Sequence, residues 1–393
     1  MGDIMLNFKH DIPTKLYFGK GQLEHLTEEL SRFGTKVLLA YGGGSIKRTG
    51  LYDKIRVMLD KGNFTVFELD GIEPNPRIES VQRGVEICRA NDVEVILAIG
   101  GGSTIDCSKA VAVGTFYEGD LWEMVTNSKP GRKALPLVDV LTIAATGSEF
   151  DGGGVISNLT LNDKMGASFT YPAVSFCDPE LTFTVPAYQT AAGSADIMSH
   201  IFEGYFSKTS DSDLSDGIAE TILKSVIKNL PIALATPDDY TARANLMANS
   251  SVACSGIPEY GKQSTAWPCH AMEHQLSAYY DITHGVGLAI LTPRWMRHIL
   301  VKDSTVALPR FVRFARNVWG LEGDDEMALA KAGIDRLEQF FGEVGIPMTL
   351  TELNIDRAHF DEMAAKANKG NRLASAFVPL NEEDVKAILE ACL

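Results

Sequence analysis

Twice in the first half of this chain an apolar stretch runs straight into three glycines and a serine. Residues 36–40 lead through Tyr41 into Gly42-Gly43-Gly44-Ser45, and residues 93–99 lead into Gly100-Gly101-Gly102-Ser103. A buried strand that breaks on glycine and restarts as a helix is the building unit of a parallel sheet covered by helices. Further apolar runs at 11–21, 64–68, 136–143, 155–157 and 173–177 read as strands, with helical patterns at 23–31, 50–61 and 78–90 between them. Near Pro186 the period changes. Helical patterns then cover 187–206, 212–229, 240–255, 268–279, 286–298, 303–318, 324–341, 355–368 and 381–392, with no comparable series of strands. A chain of 393 residues also exceeds the size at which one core stops growing. The expectation is an α/β domain over 1–185 and an all-α domain over 186–393, with a cleft between them as the place for chemistry.

Composition excludes several classes of function. A formal net charge of −15 argues against nucleic acid or an anionic membrane as partner. No apolar run is long enough to span a bilayer, and the N-terminus, with Asp3, lacks a signal-peptide pattern. Six cysteines without a CxxC pair read as reduced thiols, which points to the cytoplasm.

The glycine loops carry the first chemical signal. At Gly42, Gly43 and Gly44 the backbone turns sharply and approaches a ligand closely, while Ser45, Lys47 and Arg48 offer hydrogen bonds and positive charge to a phosphate or an adenosine ribose. At Gly100–Ser103 the free amides of a helix N-terminus and its dipole suit a pyrophosphate, although the spacing is not GxGxxG. Asp106 either caps that helix or accepts a hydroxyl. Ala144-Ala145-Thr146-Gly147-Ser148-Glu149 again puts small and hydroxylated residues at the end of a strand.

The second signal lies between Ala191 and His284. On helices, Asp196 and His200 stand one turn apart on one face, and His270 and His274 repeat the spacing. Imidazole and carboxylate in an apolar helical setting suit zinc or ferrous iron. Asp196, His200, His270 and His284 are the candidates, with Glu273 and His274 as rivals. The run His270-Ala271-Met272-Glu273-His274 also matches the HxxEH pattern of inverted zinc peptidases, with Glu273 as base. That reading leaves the glycine-rich half without a task. A redox reading employs both halves, one for a nicotinamide dinucleotide and one for a metal that polarises an alcohol or carbonyl oxygen.

The ordered segments PTKLYFGKG, YGGGSIKRTG, AIGGGSTIDCSKA, LTIAATGSE, DPELTFTVP, DIMSHIFEGY and HAMEHQLSAYYDITHGVGLAI resemble the iron-containing, or group III, alcohol dehydrogenase family, in its butanol dehydrogenase-like branch. The resemblance implies a dehydroquinate synthase-like architecture, with a dinucleotide-binding domain over 1–185 and a metal-binding and substrate domain over 186–393. It implies Asp196, His200, His270 and His284 as metal ligands, for iron or else zinc, and His274 as a cleft histidine that relays a proton. Gly101, Gly102 and Ser103 fall to the pyrophosphate, and Asp106 to the cofactor cleft. Thr142, Thr146 and Ser148 fall to nicotinamide or ribose, and Lys164 to the cofactor hydroxyls. Where some relatives carry Asp at the end of the first strand, this chain has Gly42. With Ser45, Lys47 and Arg48 beside it, that glycine predicts NADP(H) over NAD(H). In the loop after GSE many relatives carry asparagine, whereas this chain has Phe150-Asp151-Gly152-Gly153-Gly154. The implied substrates are short-chain primary alcohols or aldehydes such as butanol and butanal, with a glycerol or diol as the alternative. A homodimer is implied as well.

Overall fold

The computed structural model describes residues 5–209 and 211–393, so Asp3 lies outside the described residues. They form strands β1 (Lys15–Phe18), β2 (Lys36–Gly42), β3 (Thr65–Ile72), β4 (Val95–Gly100), β5 (Leu137–Leu141), β6 (Gly153–Asn158), β7 (Asp163–Ser168) and β8 (Val174–Cys177). Six of them make one sheet in the order β1-β8-β5-β4-β2-β3, parallel throughout. Around it lie α1 (Leu26–Ser31), α2 (Ser45–Arg48), α3 (Leu51–Lys61), α4 (Ile78–Asn91), α5 (Gly102–Gly114) and α6 (Leu121–Thr126).

The continuous apolar strands follow from burial on both faces. Val37, Leu39 and Tyr41 pack with Leu26, Leu30 and Ile55 of α1 and α3. Their neighbours Leu38 and Ala40 point the other way, into a cluster with Val81, Ile105 and Val111 of α4 and α5. The chain leaves β2 for the edge strand β3 and then returns to the other side of β2 as β4. An open parallel sheet takes its ligands at such a reversal, outside the carboxyl ends of the strands. Both glycine–serine loops lie there, one after β2 and one after β4.

One local expectation changes. Strand β6 does not join the parallel sheet. It pairs antiparallel with β7, with Ile156 opposite Met165 and Ser157 opposite Lys164. That ribbon satisfies its own backbone and buries Lys164 to 4% exposure.

The remaining helices are α7 (Ala187–Tyr205), α8 (Asp213–Ala235), α9 (Tyr240–Ala253), α10 (Pro268–Tyr280), α11 (His284–Lys302), α12 (Ser304–Asn317), α13 (Glu326–Glu343), α14 (Phe360–Ala367) and α15 (Glu382–Glu390). Two compact units result. One holds 11–185 with 238–247, and the other holds the described residues up to His10 with 186–237 and 248–393. Helix α7 is buried on every side from Thr190 to Tyr205, as a central helix must be. Its C-terminal end is tied down by Arg310, which donates to the Tyr205 carbonyl and grips both oxygens of buried Asp216 at 2.7 Å. Among the described residues no helix is long and apolar enough to cross a membrane.

Candidate functional site

Helix α7 carries Asp196 and His200 one turn apart, and Glu203 falls on the same face three residues later. Helix α10 opens with Pro268, which suits the first helical position, and presents His270, Glu273 and His274. Helix α11 begins at His284. The start of α11 comes close to α7 because residue 285 is glycine. A Cβ there would lie 1.9 Å from the Ala192 carbonyl oxygen.

These helices bring three imidazole Nε2 atoms to one carboxylate oxygen. Asp196 Oδ1 lies 3.6 Å from His200 Nε2, 3.9 Å from His270 Nε2 and 3.6 Å from His284 Nε2. All are too long for hydrogen bonds, and buried Asp196 Oδ1 and His270 Nε2 have no hydrogen-bond partner. Metal–ligand bonds of about 2.0–2.2 Å separate neighbouring donors of a tetrahedron by about 3.3–3.6 Å. The observed spacing therefore fits a divalent ion at the centre, and an N₃O donor set suits Zn²⁺ or Fe²⁺.

Two carboxylates stand behind these imidazoles: Glu203, which no sequence motif marks, and Glu273, which the sequence offers only as a rival ligand or a base. Glu203 Oε1 accepts the backbone N–H of His270 at 2.9 Å and faces its Nδ1 at 3.0 Å. Glu273 accepts from His284 Nδ1 through one oxygen and from the Ser277 hydroxyl through the other. A carboxylate at Nδ1 places the proton there and leaves the Nε2 lone pair facing Asp196. Spacing gave one clue: Glu203 is seven residues after Asp196 on one helical face. Trp267 closes the cluster, its ring 4.9 Å from that of His270 and 5.7 Å from that of His200. Ala266 and Trp267 both adopt positive φ, 62° and 53°, so the backbone is strained where it enters α10. Half-buried His274 stands beside the cluster, its ring 5.8 Å from His284 and 6.4 Å from His270. The peptidase arrangement fails here, because both oxygens of fully buried Glu273 are engaged.

In the other unit, the loop residues gather at the carboxyl ends of β2, β4 and β5. Gly101 is the N-cap of α5, followed by Gly102 and Ser103 in its first turn. A Cβ on Gly102 would meet Thr146 Oγ1 at 2.2 Å, so the glycine lets the strand-end loop lie against the helix. Thr142 donates its N–H to Gly100 O at 2.9 Å. Gly42, Gly43, Gly44 and Ser45 follow β2, and a Cβ on Gly42 would come 3.8 Å from Thr104 of α5. Asp106 accepts from Ser148 Oγ at 2.6 Å and from Val155 N at 2.8 Å, so these two residues partner each other. Burial pushes the Asp106 carboxyl up to about 6. Lys109, fully buried, donates to Asp151 Oδ1 at 2.8 Å and to Gly153 O at 2.7 Å. Asp151 is therefore an ion-pair partner that secures the glycine loop. Lys164 sits on β7, outside the parallel sheet.

The profile of the iron-containing alcohol dehydrogenase family matches residues 13–179, and that of the Fe-containing alcohol dehydrogenase family, C-terminal, matches 190–393. NADH-dependent butanol dehydrogenase A of Clostridium acetobutylicum is 49% identical over 391 residues, which cover 98% of this chain and 99% of that one. The crystal structure of NADH-dependent butanol dehydrogenase A from Thermotoga maritima superposes with a TM-score of 0.93 at 39% identity, covering 99% of both chains. A 1,3-propanediol dehydrogenase of Klebsiella pneumoniae is 30% identical over 97% of this chain and 97% of its own length.

These relatives correct one expectation, the preference for NADP(H). Four butanol dehydrogenases of Clostridium acetobutylicum and Bacillus subtilis, 42–49% identical, are named as NADH-dependent, two of them as probable. The physical reason lies on β3. Tyr41 and Tyr52 each donate a hydroxyl to Glu68 at 2.6 Å, and Lys47 Nζ sits 4.8 and 4.9 Å above their rings. A carboxylate thus already opposes the charge expected to greet a 2′-phosphate.

Proposed function

Because the chain belongs to the iron-containing alcohol dehydrogenase family, in its butanol dehydrogenase branch, we propose that Asp196, His200, His270 and His284 hold its metal and that NADH is its reductant. The protein is a metal-dependent, nicotinamide-linked alcohol dehydrogenase and aldehyde reductase acting on short-chain substrates such as butanol and butanal. The observation that carries the site is the convergence of three Nε2 atoms on the unpartnered, buried Asp196 Oδ1. A bound Fe²⁺ or Zn²⁺ supplies Lewis-acid polarisation of the substrate oxygen, and NADH supplies hydride.

The chain's own residues do the rest. Asp196 offsets part of the cationic charge. Glu203 and Glu273 fix the tautomers of His270 and His284. His274 carries the proton that the product oxygen takes up, its imidazole beside that of His284. Residues 11–185 act as the dinucleotide-binding domain: the amides of Gly101, Gly102 and Ser103 at the start of α5 receive the pyrophosphate. Thr142, Thr146 and Lys164 serve the nicotinamide and ribose end, and Ser148 and Asp106 brace that wall through their mutual hydrogen bond. The loop of Gly42, Gly43, Gly44, Ser45 and Lys47 serves the adenosine end. Residues 186–393 act as the metal and substrate domain.

A homodimer and a cytoplasmic location complete the reading. The open edge of β1, with Phe18 at 38% exposure, supports the first. Six cysteines without a disulfide support the second.

The test follows NADH absorbance before and after metal removal: its oxidation by butanal, and its formation from NAD⁺ with butanol, 1,3-propanediol and glycerol as hydride donors. His284→Ala lowers metal content and turnover together. Full metal content and full rate in that variant would sink the ligand assignment.

A further inference from the structure

We propose that Glu68, on the neighbouring strand and outside the glycine loop, sets the nucleotide preference of this protein. The inference rests on the reading that a dinucleotide lies across the carboxyl ends of β2 and β4.

The loop itself contains no acid: Gly42-Gly43-Gly44-Ser45-Ile46-Lys47-Arg48 reads as a phosphate site. The fold supplies the missing carboxylate. Parallel pairing sets Glu68 of β3 opposite Leu39 of β2, two residues before Tyr41. From there each of its oxygens accepts one tyrosine hydroxyl, from Tyr41 and Tyr52. The two rings meet edge to face, 5.5 Å apart, and Lys47 Nζ rests against both. Other charges nearby leave no surplus of positive charge. Arg56 faces Glu68 at 4.0 Å and Asp60 at 3.4 Å, and Asp70 lies close enough to act on the Tyr41 hydroxyl. With Arg48 of the loop counted, three cations stand with three carboxylates.

A ribose bearing a free 2′-hydroxyl meets no penalty in this setting and gains acceptors. A 2′-phosphate, with a charge near −2, meets like charge and finds Lys47 already offset. Replacing Glu68 by glutamine removes one negative charge but keeps a carbonyl and an amide that can satisfy the two tyrosine hydroxyls. Lys47 is then released to pair with the phosphate.

The experiment measures dissociation constants of NADH and NADPH by calorimetry on the metal-loaded full chain with no aldehyde present. Glu68→Gln tightens NADPH binding by about tenfold and changes NADH binding by less than about threefold. Adding Lys47→Gln to that variant abolishes the gain. The gain also shrinks as salt is raised, because the cluster is partly solvent-exposed. A wild-type chain that binds NADH, with an unchanged NADPH-to-NADH ratio in Glu68→Gln, overturns the role of Glu68 alone. A wild-type chain that binds neither nucleotide overturns the underlying reading as well.

Discussion

Replacing Glu273 by glutamine separates tautomer control from the ligands themselves. Glu273 is fully buried, and its two oxygens accept from His284 Nδ1 and Ser277 Oγ. Glutamine fits the same space, and its amide oxygen can still accept from Nδ1 while its amide nitrogen donates to Ser277. What disappears is the charge on the acceptor. A charge-assisted hydrogen bond contributes about 1–2 kcal/mol more than a neutral one, and the lost carboxylate would also balance the charge of a cation held by His284 Nε2. The expected fall in metal affinity is about tenfold to a hundredfold, the usual range for a carboxylate behind a ligating imidazole. Glu273→Leu must lose more, because it strands a buried Nδ1–H at a further cost of about 1–3 kcal/mol. The assay is a competition titration of Zn²⁺ against a chromophoric chelator, with circular dichroism of the metal-free variants as the check on folding. A folded Glu273→Gln chain that binds Zn²⁺ as tightly as the parent would refute the tautomer argument, while leaving the four ligands standing.

Three other outcomes follow from the same geometry. Gly285→Ala drives a Cβ into the Ala192 carbonyl, where the contact is 1.9 Å and backbone cannot yield. Helix α11 must shift, so melting shows a loss of about 3 kcal/mol or more and metal content falls; a stable, metal-replete variant contradicts the packing argument. Asp106 titrates near 6 instead of about 4, so its favourable linkage is complete at low pH and is lost as pH rises through about 6. Denaturant unfolding across this range therefore loses about 3 kcal/mol from this group, and Asp106→Asn flattens the slope; an unaltered slope in the variant refutes the assignment. Lys109→Met leaves Asp151 facing a buried apolar chain and costs about 3–5 kcal/mol, which the added change Asp151→Asn partly restores. Thermal melts of the single and double variants measure both, and a loss under about 1 kcal/mol for Lys109→Met contradicts the role of the pair.

Much of the site was legible because its signals are local. Asp196 with His200, and His270 with His274, follow from the helical repeat, and the glycine–serine loops follow from apolar strands that end abruptly. The roles of Glu203 and Glu273 were not legible. A buried glutamate on a helix looks the same whether it faces an imidazole, a lysine or another helix, and only the docking of α7, α10 and α11 decides. Position 164 shows the same limit: its burial comes from the antiparallel pairing of β7 with β6, which no local spacing around the lysine announces.

By itself, the sequence determined that an α/β half precedes a helical half, that glycines end strands in the first, and that paired imidazoles share helix faces in the second. Each of these is a property of residue type at short spacing. Tertiary structure alone decided which histidine nitrogen faces inward, how closely α11 meets α7 at Gly285, and which carboxylate stands beside Lys47. Those three depend on contacts between elements far apart in the chain. Position 68 is the clearest case, since the loop from Gly42 to Arg48 carries no acid and the pairing of β3 with β2 brings the Glu68 carboxylate to the Tyr41 and Tyr52 hydroxyls.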